Sequence, residues 1–411
     1  MKLLRTASSR HLLMMIAGVL ATVAAGAAIA VAASGSGPVP PPKPLAQAIH
    51  DALGAPQVSG ITARITFTNH LINASNLQGS DPILQGATGR LWLSSDHRLR
   101  LELQSNNGDA QAVLNNGAFW LYDPGSKTAY EGTLPASAGA KSGAKNTAKA
   151  DTVPSIAQIK ADLGRLAQHL SIGAAIPSDV AGQAAYTVRV SPKHDGGLLG
   201  AAELASDAVR GVPLRIAVYA RGNAAPVLEL KATNISYGAI PASDFSVSPP
   251  AGAKIVKVAT PGAHGPMTAA DKRAGKRGSR DAKVTGAAAV ARALPFKLLS
   301  PSALVGLPRR SVTLLDWAGS PAALVSYGQN LGGVVVLEQA AHADKGPPKS
   351  PASGGDHSSG LSLPTVSING LTGQELDTAL GTMVRFTRAG VTYTVIGSVP
   401  AAAADAAARA L

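Results

Sequence analysis

The chain has 411 residues and a formal net charge of +13, with 45% hydrophobic and only 4% aromatic residues. Its length predicts two or three domains, because a domain usually holds roughly 100 to 200 residues. The absence of cysteine excludes disulfides, thiolate metal sites, a cysteine nucleophile and a lipid-modified N-terminal cysteine. A pI near 10.0 raises nucleic acid as a partner, so the position of the charge along the chain decides that question.

Residues 1–37 have the pattern of an export signal. Three basic residues in the first ten positions precede an uncharged apolar run at 12–33. That run is long enough to span a bilayer as a signal anchor, whereas Ala30-Val31-Ala32 has the small-x-small spacing of a signal-peptide cleavage site. Both interpretations stay open. Both place the rest of the chain outside the cytoplasm, either anchored to the cytoplasmic membrane by an N-terminal helix or secreted.

Composition divides the remaining chain into two folded parts and their connections. A Pro-rich stalk at 38–44 leads into a first domain at 45–257, which holds ten of the fifteen aromatic residues. A small, polar and basic linker at 258–294 is predicted to be disordered. A smaller domain follows at 295–411, with a Pro/Ser/Gly-rich flexible insertion at 342–360.

The positive charge is concentrated outside the predicted domains. The stretch 261–294 carries seven basic and two acidic residues, and the N-terminal segment carries three basic residues, so these two regions supply eight of the thirteen net charges. Single-strand nucleic-acid binding requires aromatic side chains interleaved with positive charge, on which bases can stack. These two regions have no such aromatic side chains. We therefore expect a solvated basic linker that touches anionic lipid or cell-wall polymer, and no nucleic-acid partner.

The first domain is predicted to begin with a helix at 45–53 and to continue mainly as β-strands. Residues 98–104 alternate between leucine and polar side chains, which is the period-2 pattern of a half-buried antiparallel strand. Asn116-Gly117 and Pro124-Gly125 are tight-turn sequences that favour hairpins. The full set of predicted strands is 61–71, 89–94, 98–104, 110–114, 118–122, 127–131, 185–190, 214–220 and 227–237.

A second helix is predicted at 155–170, where apolar residues recur at helical spacing and form one stripe. A long antiparallel sheet with this amphipathic helix on one face is the simplest arrangement that buries both. The fold class is therefore mainly β, of the α+β type.

The second domain is predicted to be a small α+β module. Thr372 and Glu375 have the spacing of a capping box and predict a short helix that ends near Leu380, and an Ala-rich helix is predicted at 400–411. This domain either docks another protein or supports the first domain, and its sequence does not choose between the two. Its predicted strands are 311–317, 322–327, 334–339, 365–369, 383–387 and 391–396.

Several segments of the first domain resemble the bacterial outer-membrane lipoprotein carrier (LolA-like) superfamily. They follow the order of that superfamily: a strand with Gly-x-Leu-Trp, a strand with Arg-Leu-Arg, an Asn-Gly hairpin ending in Tyr-Asp-Pro, and closing strands that end in Pro-Pro-Ala-Gly-Ala. The two-domain layout is similar to that of the RseB/MucB family of sigma-E regulatory proteins. The matching segments are 86–93, 97–102, 113–124, 211–215, 226–231 and 245–253.

The resemblance implies a LolA-like half-barrel, a curved and half-open antiparallel sheet of about eleven strands covered by helices, with an apolar cavity for acyl chains. It implies a binding protein without catalysis or cofactor, whose partners are the acyl chains of lipids or lipoproteins and the membrane surface. The RseB-like alternative adds a sensor role and a membrane-bound anti-sigma partner. The extra domain and the lack of an acylated cysteine depart from the carriers, so delivery to an outer membrane is not inferred.

The candidate ligand-contacting residues are the apolar positions that alternate toward one face of the predicted sheet, together with the helix stripe above them. The alternative is that the same side chains fill a solid core. Trp92 and Trp120 alternate out of phase with this set, which suits either an exposed rim or a second packing face. The candidate set is Ile65, Phe67, Leu91, Leu93, Leu99, Leu101, Leu103, Leu114, Phe119, Leu121, Ile159, Leu163 and Leu166.

No established enzyme motif is present. The sequence contains no zinc-protease, nucleophile-elbow, P-loop or dinucleotide-binding pattern. Ser142 and Lys145 have Ser-x-x-Lys spacing, but they lie in an Ala/Gly/Lys insertion without helical patterning. The nine histidines are scattered without ligand spacing. We therefore predict neither a catalytic nor a metal site, and a hydrolase with a dispersed catalytic set is kept only as a third hypothesis.

Overall fold

The computed structural model of the protein describes residues 37–72, 86–105, 108–134, 153–194, 196–258, 284–317, 320–341 and 363–411. The apolar run at 12–33, most of the basic linker and the insertion at 342–360 lie outside these ranges, as do Ser142 and Lys145. Within the described ranges, no helix has both the length and the apolar character needed to cross a membrane.

The first part of the chain forms one large sheet. Its strand order is β13-β6-β5-β4-β3-β2-β1-β12-β11-β10-β9-β7, with β8 also paired to β9. All neighbours are antiparallel except the β13–β6 pair. The strands are β1 (Gly60–Asn69), β2 (Ala87–Ser94), β3 (Leu99–Ser105), β4 (Gly108–Asn115), β5 (Ala118–Asp123), β6 (Thr128–Thr133), β7 (Leu170–Ile172), β8 (Ile176–Val180), β9 (Gln183–Pro192), β10 (Leu199–Asp207), β11 (Pro213–Ala220), β12 (Leu228–Tyr237) and β13 (Lys254–Lys257).

Two α-helices and a short 3-10 helix accompany this sheet. Helix α1 spans Leu45–Leu53 and helix α2 spans Ile156–Leu166. The 3-10 helix spans Ala242–Phe245. The N-terminal segment that leads into α1 also lies against the sheet, because the hydroxyl of Tyr186 donates to the carbonyl of Pro41 over 2.6 Å.

The first sheet curves so that strands far apart in its order share one apolar cluster, which gives the half-barrel that the resemblance implied. We call the concave side the inner face; it carries Ile61, Ala63, Ile65 and Phe67 of β1, all nearly buried. Helix α2 packs chiefly on α1, so the inner face of β1 is covered mainly by other strands of the same sheet. Accordingly, the same apolar cluster includes side chains of β8, β9, β10 and β11.

The second part of the chain forms a separate eight-stranded sheet in the order β14-β15-β16-β17-β21-β20-β19-β18. Helix α3 (Ala287–Ala293) and helix α4 (Ala401–Arg409) cover one face and bury an apolar core. A 3-10 helix spans Asn330–Gly332. The strands are β14 (Ala303–Leu304), β15 (Leu307–Trp317), β16 (Ser320–Tyr327), β17 (Val334–Ala340), β18 (Thr365–Ile368), β19 (Leu371–Thr378), β20 (Gly381–Arg388) and β21 (Val391–Gly397).

The predicted helix after Thr372 is wrong, because this segment is strand β19. Asn369 and Gly370 have φ values of 50° and 83°, the left-handed pair of a type I′ hairpin turn. This turn pairs β18 with β19, and β19 also pairs with β20. Pairing on both sides outweighs a capping-box pattern that has no apolar helical stripe after it.

The two sheets meet through backbone hydrogen bonds. The N–H of Leu198, in the β9–β10 turn, donates to both the carbonyl and the hydroxyl of Ser398 at 3.0 Å each. The N–H of Ala379 donates to the carbonyl of Leu71 over 2.8 Å. The second sheet therefore contacts the end of the first sheet at which the β9–β10 turn lies.

Candidate functional site

The inner face of the first sheet brings ten of the thirteen candidate residues onto one surface. The antiparallel register pairs Leu91 of β2 with Ala63 on one side and Leu101 on the other. The next row pairs Leu99 with Leu114 and Leu114 with Phe119. Each row therefore runs continuously across β1 to β5. The inner-face candidates are Ile65, Phe67, Leu91, Leu93, Leu99, Leu101, Leu103, Leu114, Phe119 and Leu121.

The candidates on β1 and β3 are packed into the protein's own core. Ile65, Phe67, Leu101 and Leu103 are only 3–7% exposed and belong to the main apolar cluster of the first sheet. Side chains buried to this degree by protein atoms behave as core residues. For these four positions, the solid-core interpretation fits the geometry.

The candidates toward the β6 edge of the sheet are less covered. Leu91, Leu93 and Leu99 pack against the rim of the cluster and are partly buried. Leu114, Phe119 and Leu121 are also partly buried and lie outside the cluster of buried residues. An apolar strip therefore extends from the core across β2 to β5 without being fully covered by the described part of the chain.

Helix α2 carries the remaining three candidates. It begins where the sequence predicts, because the Ser155 hydroxyl accepts a hydrogen bond from the Gln158 N–H at 3.2 Å. Ile159 is buried, Leu163 is partly buried and Leu166 is 51% exposed. Because the helix packs chiefly on α1, the C-terminal part of its apolar stripe is uncovered.

The convex outer face shows which of the two interpretations of Trp120, an exposed rim or a second packing face, is correct. Its indole N–H donates to the carbonyl of Val247 over 2.9 Å, and the side chain is buried under the segment that follows the 3-10 helix. Trp92 lies on the same outer face, with the Arg100 guanidinium 4.9 Å from its ring centroid. Arg98 stacks on Phe245 in the same way. A second packing face therefore accounts for Trp120, and an exposed rim does not.

A charged network that the sequence did not reveal lies on the outer face of β9 to β12. Glu203, with a side chain only 2% exposed, accepts hydrogen bonds from Arg189, Arg215 and Tyr219. Arg215 also binds Glu229 over 2.5 Å. Burial lowers the pKa of Arg215, but its hydrogen bonds to Glu203, Tyr219 and Glu229 outweigh burial, so the net pKa is raised. The network is internally neutral and saturated, which suits a structural role.

The second sheet contains a buried carboxyl group. Glu338 of β17 is 0% exposed and faces the core beside Tyr393 of β21. One carboxyl oxygen accepts from the Leu299 N–H at 2.8 Å, and the other has no partner. Burial raises the pKa of Glu338 to about 7. Only the alternation of β17 could have indicated this position, since Val334 and Val336 precede it on the same face.

Among the described residues, no group of three His, Asp or Glu side chains is placed to hold a metal ion. Neither the Glu203 network nor Glu338 offers the open, convergent set of polar groups that chemistry on a bound substrate requires.

No family model and no curated protein matches the sequence. The chain is similar to the solved structure of MucB in complex with MucA(peri), at 16% identity and a TM-score of 0.39, covering 89% of this chain and 95% of that one. It is also similar to the MucA/MucB complex of Pseudomonas aeruginosa, at 18% identity and a TM-score of 0.39, with coverages of 89% and 95%.

A putative outer membrane lipoprotein-sorting protein domain from Vibrio parahaemolyticus matches 49% of this chain and 94% of its own length, at 12% identity and a TM-score of 0.17. These are the kinds of protein that the sequence resembles.

Proposed function

We propose that the protein is an extracytoplasmic lipid-binding or lipoprotein-carrier-like protein that holds acyl chains on the inner face of its half-barrel. The observation that carries this proposal is the partly covered apolar strip across β2 to β5, which continues into the buried cluster. The export signal pattern at 1–37 supports a location outside the cytoplasm, either anchored or released.

The strip offers enough apolar surface for useful affinity. A saturated chain of about sixteen carbons gains on the order of 12 kcal/mol at ~0.8 kcal/mol per buried CH₂, before ordering costs. The expected contacts are the partly buried residues outside the cluster, Leu114, Phe119 and Leu121, with Leu163 and Leu166 of α2 as a second apolar surface. Such contacts select for chain hydrophobicity and not for a particular headgroup.

Extraction of the purified full-length chain with organic solvent, followed by mass spectrometry, tests this proposal. We expect co-purifying lipid in the wild type and its loss in Leu121→Asp, which places a charge on the partly exposed strip. Ala118→Asp is the matched control, because it adds the same charge at an exposed position of the same strand on the outer face, opposite uncharged residues. Leu121 is chosen over Leu101 because Leu101 is buried in the core, where a charge would also destabilise the fold. Equal lipid content in both folded variants would refute the assignment.

An RseB-like regulatory role is the second candidate. The hydrogen bonds from Leu198 to Ser398 support it, because they link the β9–β10 turn of the half-barrel to the second sheet. In this role, binding of an acyl chain to the inner face of the first sheet would alter the affinity of the second sheet for a membrane-bound anti-sigma protein. Recovery of a transmembrane regulator by affinity capture, at a level that changes with added fatty acid, would support the sensor over the carrier.

A further inference from the structure

The outer face of strands β1 and β2 places two arginines directly opposite each other. Arg64 of β1 is in register with Arg90 of β2, and both side chains are exposed. The adjacent row pairs Thr66 with Thr88 on the same face. In antiparallel sheets, side chains that lie directly opposite have Cβ atoms about 5 Å apart. The two arginines and the two threonines therefore occupy adjacent positions on one patch of the outer face.

Neither arginine has an acidic partner in the described part of the chain. Glu102 of β3 lies opposite Arg90, but its carboxylate is bound by the Arg100 Nε at 3.0 Å and by a second nitrogen of the same guanidinium. Lys231 of β12 lies opposite Thr66 and adds a third cation, also outside any ion pair among the described residues. The local charge is thus unbalanced, whereas the Glu203 network nearby is neutral.

The backbone beside this pair is irregular. The register of β1 and β12 shifts between Arg64 and Ile65, which leaves Thr233 as the extra residue of a bulge. The Thr233 hydroxyl donates to the carbonyl of Arg64 over 3.3 Å. Bulges increase the local twist and re-aim side chains, and they are common next to binding sites.

We propose that Arg64 and Arg90 form a binding site for a phosphate group, with Thr66 and Thr88 as additional hydroxyl donors. Like charges placed directly opposite destabilise a strand pair unless an anion lies between them. Guanidinium groups match the geometry of phosphate oxygens with paired, charge-assisted hydrogen bonds. The site is on the convex side of the sheet, so it is independent of acyl chains bound on the inner face. The phosphate belongs either to a lipid headgroup or to a soluble phosphate compound.

Calorimetric titration of the full-length chain with inorganic phosphate and with pyrophosphate tests the site. We expect Arg64→Gln and Arg90→Gln each to weaken binding at least tenfold, and Arg64→Lys to weaken it less. Arg221→Gln is the matched control, because Arg221 is an exposed single arginine in the β11–β12 turn. It removes the same charge and should change affinity less than twofold.

Thermal unfolding separates a binding role from a structural one. Without phosphate, Arg64→Gln should not lower the unfolding midpoint, because it removes one of two repelling charges. With phosphate, the wild-type midpoint should rise and that of Arg64→Gln should not. A lower midpoint for Arg64→Gln without phosphate, together with unchanged phosphate binding, would overturn the proposal.

Vesicle co-sedimentation distinguishes the two sources of phosphate. If Arg64→Gln and Arg90→Gln bind phosphatidylglycerol vesicles less than Arg221→Gln does, and free phosphate competes, the ligand is a lipid headgroup. If phosphate binds in solution and the variants sediment equally, the ligand is soluble. Binding of polyglutamate that phosphate does not displace would assign the surface to an acidic protein instead and refute the phosphate site, as would the absence of any binding that depends on Arg64 and Arg90.

Discussion

Glu338→Gln should make the second domain more stable at neutral pH. Glu338 is fully buried, and its one bound carboxyl oxygen accepts from the Leu299 N–H, while the other has no partner. The nearest titratable groups on neighbouring strands are Tyr327 and Tyr393, whose own pKa values are raised by burial and, less strongly, by Glu338. No cation compensates the carboxylate by a hydrogen bond within the described residues, so ionisation is costly.

The magnitude follows from the two pKa values. The pKa of Glu338 is about 7 in the folded protein, against 4.5 for an unperturbed glutamate. At ~1.4 kcal/mol per pKa unit, ionisation removes about 3 to 4 kcal/mol from the free energy of unfolding. The folded pKa is the higher of the two, so the wild type has its full free energy of unfolding below about pH 4.5, where Glu338 is protonated in both states. The contribution of the protonated Glu338 falls as the pH rises and is lost above about pH 7.

Denaturant unfolding of the full-length chain between pH 4 and pH 8, followed by hydrogen exchange at β17, measures this effect. Glu338→Gln retains the acceptor for Leu299 and has no charge to lose, so it should remove this part of the pH dependence. Glu375, whose pKa is also raised by burial, is present in both proteins, so its contribution cancels in the difference. A difference between wild type and Glu338→Gln that stays constant from pH 4.5 to pH 7.5 would refute the reasoning.

Three further predictions concern the first domain and its contact with the second. Gly197→Ala should separate the two sheets, because a Cβ at this position would lie 2.3 Å from the Ser398 carbonyl oxygen. Gly222→Ala is the control, since Gly222 also has a positive φ but open space around it, and it should leave the sheets together. Small-angle scattering would detect the difference between the two variants. Glu203→Ala should lower the free energy of unfolding by about 3 kcal/mol in denaturant titrations, because it removes the buried carboxylate that Arg189 and Arg215 share and leaves Arg215 with Glu229 as its one remaining ion-pair partner among the described residues. Trp120→Phe should cost about 1 kcal/mol and raise hydrogen exchange in the segment it binds; unchanged exchange there would contradict the role of the indole N–H.

Alternation and turn chemistry were sufficient to predict most strands of both sheets. Period-2 patterns placed β1 to β6, and Asn116-Gly117, with φ values of 49° and 81°, forms the hairpin turn expected between β4 and β5. These signals are local, because each strand needs only its own alternation and adjacent turn. Strand β10 escaped prediction, since its Ala-rich sequence has no strong β-propensity and is held by pairing with β9 and β11.

The sequence predicted which residues share one face of the sheet, but it did not predict how deeply each of them is buried. The sequence placed Leu101 and Leu121 on one face with equal weight, and the registers confirm that they share it. Only the curl of the sheet makes Leu101 a core residue and leaves Leu121 partly covered. Curvature depends on contacts between strands far apart in sequence, which no local pattern encodes.

By itself, the sequence determined the mainly β class, the faces of the strands, most of the turns, and the pattern of an exported chain. These properties follow from the spacing of side chains along a few residues. The tertiary structure alone decided that Glu203 and Glu338 are buried, that Trp120 packs on the outer face, and that Arg64 lies beside Arg90. Each of these features depends on the register between neighbouring strands or on the layer of chain that covers the sheet. The register is fixed by interactions summed over the whole sheet, which the local sequence of one strand does not encode.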